Sequence, residues 1–241
     1  MRPEDRLIVA LDVYSASDAQ RLVRSLGSSV STYKVGSQFF TSEGPALVRE
    51  LIAAGKKVFL DLKFHDIPNT VGGVVRAAAG LGISMLTVHA AGGSAMLRAA
   101  VEAANQSSKP PIVLAVTVLS SLSDAALQQT GIAARAVDHA LVLATLAQNC
   151  GCHGVVASAH EARVIRQDLG AGFLIVTPGV RPSGWGKDDQ ARVSTPSQAI
   201  AAGADYLVVG RPVIGAPDPR RAAEEIITDI ASALEIDSLS H

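Results

Sequence analysis

Short apolar runs recur along the chain, separated by longer stretches in which apolar residues return every three or four positions. The runs are LIVALD (7–12), TYKVG (32–36), VFLDLK (58–63), MLTVHA (85–90), IVLAVT (112–117), GVVAS (154–158), FLIVTPG (173–179) and DYLVVG (205–210). They are short and mostly rich in β-branched side chains, so they predict strands. Their nearly continuous apolar character predicts strands covered on both faces, as in a parallel sheet. The stretches between them include SDAQRLVRSLG, GPALVRELIAAG, NTVGGVVRAAAGLG and SAMLRAAVEAANQ. These have helical spacing, and many end in glycine, a common helix stop. Ser17 and Asn69 stand where N-caps are expected.

Strand and helix patterns alternate to the end, with no linker and no low-complexity tract. Eight such units predict an α/β fold of one domain, a (β/α)8 TIM barrel over residues 1–241. A doubly wound open sheet is the other arrangement that fits alternation, but no G-x-G-x-x-G follows the first run.

Composition narrows the class. With 241 residues and 48% hydrophobic content, the chain can build one large core. A formal net charge of −1 gives no electrostatic basis for binding nucleic acid or a membrane surface, and 4% aromatics offer no base-stacking platform. The N-terminal run is too short for a signal peptide or a membrane span, and the expected location is the cytoplasm. Cys150 and Cys152 are separated by a single residue. They are read as reduced buried thiols, since a disulfide at that spacing is strained.

In a barrel, functional groups belong at the C-terminal ends of strands and in the loops that follow. Asp12 ends the first run, Lys34 lies near the end of the second, and Asp61 and Lys63 end the third. His89 falls at the end of the fourth and Thr117 at the end of the fifth. The period of two places Phe59, Asp61 and Lys63 on one face of the third strand, opposite Val58, Leu60 and Leu62. The aliphatic trio belongs against the helices, so Phe59 fills the interior with Asp61 and Lys63 above it. Asp12 and Lys34 point inward by the same parity, and Asp66 follows closely in sequence. Two readings remain open: a salt-bridge network that closes the barrel top, and an array that meets a substrate. Buried ion pairs are weak stabilisers, which favours the second. His65 can serve as a general base or simply be hydrogen-bonded in place, and His89 is treated the same way. No pair of His and carboxylate residues has the helical spacing of a metal site.

TPGVRP (177–182) and VVGRPV (208–213) follow the seventh and eighth strands. Glycine lets backbone N–H groups approach an anion and arginine adds a forked cation, so the two turns together point to phosphate. The segment SGWGKDDQARVS (183–194) is long and polar enough to be a lid.

The sequence resembles the orotidine 5′-monophosphate decarboxylase family over essentially its whole length. The most specific match is DLKFHDIPNT (61–70), which carries D-x-K-x-x-D followed by I-P-x-T. ALD (10–12), YKVG (33–36), VHAAGG (88–93), TPGVRP, DDQARV (188–193) and VVGR (208–211) support it. The resemblance implies decarboxylation of orotidine 5′-monophosphate to UMP, with no cofactor and no metal. It makes Lys63 the proton donor to C6, within a catalytic network of Lys34, Asp61, Lys63 and Asp66. Asp12, Lys34 and Thr70 would hold the ribose, Ser120 the pyrimidine, and Arg181, Gln190, Arg211 and the Gly210 backbone the 5′-phosphate. Ser120 stands where many bacterial relatives have threonine. The resemblance also implies a homodimer in which Asp66 and Thr70 reach into the neighbour's site. Sugar-phosphate decarboxylases or aldolases of the same barrel group, which use magnesium, share D-x-K-x-x-D. A non-catalytic nucleotide-binding barrel is a further alternative.

Overall fold

The computed structural model describes residues 1–182 and 194–239. Eight strands close into a parallel barrel in chain order: β1 (Leu7–Ala10), β2 (Thr32–Gly36), β3 (Lys57–Phe64), β4 (Met85–His89), β5 (Ile112–Val116), β6 (Gly154–Val156), β7 (Leu174–Thr177) and β8 (Tyr206–Val209). The ring closes where Ile8 pairs with Val208. The surrounding helices are α1 (Ala16–Leu26), α2 (Ser37–Glu43), α3 (Ala46–Ala53), α4 (Pro68–Ala79), α5 (Gly93–Asn105), α6 (Asp124–Gln128), α7 (Ala136–Asn149), α8 (Ala159–Leu169), α9 (Pro196–Ala201), α10 (Arg211–Ile214) and α11 (Pro219–Leu239). The open-sheet alternative is thereby excluded, since a closed barrel leaves no strand edge.

The core divides as the strand parity requires. Ile8, Ala10, Phe59, Met85, Leu114, Val176 and Val208 form a cluster inside the barrel. Their chain neighbours, such as Leu7, Val9, Val58, Leu60, Leu86 and Val113, pack outward against the helices. Burying both faces explains the unbroken apolar runs.

Helix starts differ from expectation at two places. Ser15, not Ser17, caps α1: its backbone is extended and its Oγ accepts from the Asp18 amide at 3.1 Å. At α4 the cap position is Ile67, and Pro68, not Asn69, opens the helix. Proline needs no side-chain cap there, because its missing N–H is one that the first turn cannot use and its φ is already helical. The segment HDIPNT leads into this helix. Its last three residues are the first turn of α4, and Thr70 sits on that turn.

Among the described residues no helix is long and apolar enough to cross a membrane. Cys150 and Cys152 are free, buried thiols. Burial and the neighbouring Cys150 push the Cys152 thiol up to about 12.

Candidate active site

A cavity of about 720 Å³ opens at the C-terminal mouth of the barrel. That volume suits a small organic ligand. Phe59, Ala10 and Val208, from the inner cluster, line it together with four charged residues from the first three strands and their ends. Asp12 lies two residues past the end of β1, Lys34 is central in β2, and Asp61 and Lys63 are in β3. They form an alternating array. Lys34 Nζ is 3.1 Å from Asp12 Oδ1 and 3.8 Å from Asp61 Oδ2, and Lys63 Nζ is 2.8 Å from Asp61 Oδ2. The Lys34 and Asp61 side chains are each 12% exposed, whereas Lys63 keeps 36% and Asp12 53%. The middle of the array is thus withdrawn from water, where charges act more strongly on one another.

Gly36 makes room for this arrangement. A Cβ at that position would stand 3.0 Å from Lys34 Nζ and 3.5 Å from Asp12 Oδ1. A side chain there would crowd the ammonium and force it to shift.

Asp61 and Lys63 meet as parity predicts, but β3 is not a regular strand there. Its register with β4 runs Phe59 to Met85 and Leu60 to Leu86, then jumps to Phe64 opposite Val88. Four steps along β3 are matched by two along β4, so Asp61, Leu62 and Lys63 lie on a bulge. Lys63 has φ of 52°, the only positive φ at a non-glycine residue among the described residues. Bulges re-aim side chains, and this one carries the central ion pair. Thr87 of β4 fastens it. Its hydroxyl donates to Asp61 Oδ1 at 3.0 Å and accepts from the Lys63 amide at 2.8 Å.

Across the mouth, Ser120 and Ser158 line the cavity from the β5 and β6 sides. Gly179 and Arg181 follow β7, while Gly210 and Arg211 follow β8, and all four line the same cavity. Gly179 has φ of 77°, a left-handed turn that glycine takes without cost. Arg181 is 6% exposed, and its amide donates to Ser194 O at 2.9 Å. The two arginine turns expected to hold phosphate thus converge on one space with the charged array. Gln190 and segment 183–193 lie outside the described residues.

Asp66 and Thr70, expected to reach into a neighbour's site, stand apart from this cavity of their own chain, and residues 65–70 are all exposed. Asp66 Oδ1 accepts from the Ile67 amide at 2.6 Å, and Asp66 borders a separate surface cleft with His65, Ile67 and Pro68. Proximity in sequence to Lys63 does not bring Asp66 into the array of its own chain, because the chain turns outward at His65 to enter α4. His65 and His89 also stand outside the cavity. Their rings stack with centroids 5.2 Å apart and 16° between planes, and His89 Nδ1 accepts from the Ala91 amide at 3.4 Å. Burial, then the nearby His65 and Lys63, hold the His89 imidazole below its ordinary value.

Thr87 and Gly36 are contributors that strand-end logic passes over. Thr87 reads as an ordinary strand former within MLTVHA; its one signal is that it shares inward parity with Met85 and His89.

The model of the "Orotidine 5′-phosphate decarboxylase / HUMPS family" matches residues 5–226. The chain belongs to this family. Relatives named orotidine 5′-phosphate decarboxylase include one from Idiomarina loihiensis, 48% identical over 93% of this chain and 97% of its own length. Another from Halorhodospira halophila is 50% identical over 95% of this chain and 97% of its own. Among solved structures of the decarboxylase family, that from Lactobacillus acidophilus superposes with a TM-score of 0.83 at 37% identity, covering 93% of this chain and 98% of that one. The orotidine 5′-phosphate decarboxylase of Pyrococcus horikoshii gives 0.76 at 28% identity over 93% of this chain and 99% of its own.

Proposed function

We propose that this chain converts orotidine 5′-monophosphate to UMP and carbon dioxide without a cofactor, and that Lys63 supplies the proton. Family membership carries the overall reaction. The observation that supports the mechanism is the Lys63 ammonium 2.8 Å from Asp61 in the cavity, with Lys34 behind it. When the C6–carboxylate bond breaks, carbon dioxide leaves and the electron pair stays in an sp² orbital at C6. The ring π system cannot take up that pair. A fixed cation beside C6 stabilises it, and an N–H bond of the ammonium then gives up its proton to form C6–H. Lys63 is left as a neutral amine and regains a proton from water. Asp61 keeps the ammonium aimed. Enzymes lower barriers by roughly 8–23 kcal/mol, and charges already in place in a poorly hydrated site supply much of that.

In this reading Asp12 and Lys34 hold the ribose hydroxyls and Ser120 meets the pyrimidine. Arg181, Arg211 and the Gly210 backbone hold the 5′-phosphate together with Gln190. Phosphate binding far from C6 contributes to rate by organising the site. Asp66 and Thr70 complete the site of a second copy of the chain, as members of a homodimer. Support for this comes from the six consecutive exposed residues 65–70, with Ile67 66% exposed at their centre. In this reading the protein works in the cytoplasm.

The test is the ultraviolet absorbance of orotidine 5′-monophosphate incubated with purified protein, before and after dialysis against a chelator. The proposal expects equal loss of substrate and equal formation of UMP in both samples. Activity that vanishes with the metal and returns with magnesium would place the chain with the sugar-phosphate enzymes of its barrel group.

A further inference from the structure

We infer that Thr87 is a positioning residue for the reaction: its one hydroxyl sets the Lys63 backbone and the Asp61 carboxylate in the relation that aims the ammonium. This rests on the role proposed above for Lys63. Thr87 is fully buried and does not line the cavity, so it acts through other residues.

Between Leu60 and Phe64 the ladder with β4 is interrupted, and Lys63 takes a left-handed backbone. A left-handed lysine is strained and persists only where neighbours hold it. The Lys63 N–H has turned to the Thr87 hydroxyl at 2.8 Å. That oxygen has one proton to give, and it gives it to Asp61 Oδ1 at 3.0 Å. The carboxylate is thereby oriented, with Oδ2 facing Lys63 at 2.8 Å and Lys34 at 3.8 Å. A single atom both accepts from the backbone that carries the lysine and donates to the acid that pairs with it. Serine keeps both bonds, valine keeps the shape and loses both, and alanine loses both and the shape.

The experiment compares wild type, Thr87→Ser and Thr87→Val for turnover of orotidine 5′-monophosphate, for UMP affinity, and by crystal structure. In Thr87→Val, kcat is expected to fall about ten- to hundredfold, the worth of a charge-linked hydrogen bond, while UMP affinity changes little. Thr87→Ser is expected to stay within about threefold of wild type. The crystal structure of Thr87→Val is expected to have Lys63 out of the left-handed region, with Nζ parted from Asp61. Thr87→Ala is read the same way if the valine variant does not fold. The inference is overturned if Thr87→Val keeps its kcat, if Thr87→Ser falls as far as Thr87→Val, or if Lys63 stays as it is without the hydroxyl. A wild-type protein that leaves the substrate intact would defeat the proposed function, and the crystal structure would still decide Thr87's hold on Lys63.

Discussion

Lys63 and Asp61 sit close enough to neutralise one another, and a simple ion pair at that place would stabilise little, because desolvation offsets the attraction. Asp61, however, is shared: Lys34 approaches the same oxygen, and Thr87 takes the other. Lys63 retains about a third of its exposure on the cavity side, so its ammonium remains available to a ligand. In the proposed reaction the array holds a cation at the reacting centre more than it cements the barrel. Replacement of Lys63 by alanine is accordingly expected to abolish turnover while UMP binding is largely kept, since the lost interaction belongs to the transition state. Steady-state kinetics and UMP titration check this. A variant with more than about a tenth of wild-type kcat, a loss under about 1.4 kcal/mol of barrier, contradicts the role.

At the scale of elements, β3 and β4 end together, and their ends carry the stacked His65 and His89 rings next to the bulge. His89 binds a proton less readily in the folded chain than when unfolded, chiefly because it is desolvated and then because His65 and Lys63 stand near. Its neutral form therefore adds stability that is fully present above the ordinary imidazole value. That stability is lost as pH falls through this value and on through the lower folded one. His89→Gln is expected to flatten the fall in Tm between about pH 7.5 and about pH 5.5 relative to wild type. Equal slopes in a thermal-melt series would exclude His89 as a source of acid sensitivity. The strands themselves were readable because two-sided burial writes an apolar run into each. The inward placement of Phe59 and Asp61 followed from parity alone. The bulge left no such mark: a left-handed conformation advertises itself through glycine, and here it falls on a lysine. Thr87 was hidden for a related reason, since threonine is a common strand residue whether or not its hydroxyl is used. The choice of Ser15 over Ser17 turned on one extended backbone within a serine-rich turn, which spacing does not distinguish.

For the molecule as a whole, the barrel brings together charged residues from position 12 to position 211 in one cavity. Their placement at strand ends was legible because the fold fixes where strand ends converge. Asp66 was not, since whether it serves its own chain's site or another's depends on which way the chain leaves β3. It leaves outward, and α4 begins at Pro68. In the proposed reaction one cavity decarboxylates its substrate with Lys63 of one copy and Asp66 of another. The most direct measurement mixes two inactive proteins, Lys63→Ala and Asp66→Asn, under conditions of confirmed subunit exchange, and follows orotidine 5′-monophosphate turnover. Shared sites put both changes into one site of each hybrid and leave the other wild type. Activity is then expected to return to about a quarter of the wild-type level in an equimolar mixture, since half the dimers are hybrids with one intact site each. If the mixture stays as inactive as its parents although hybrids have formed, each site is built within one chain and the claim is wrong.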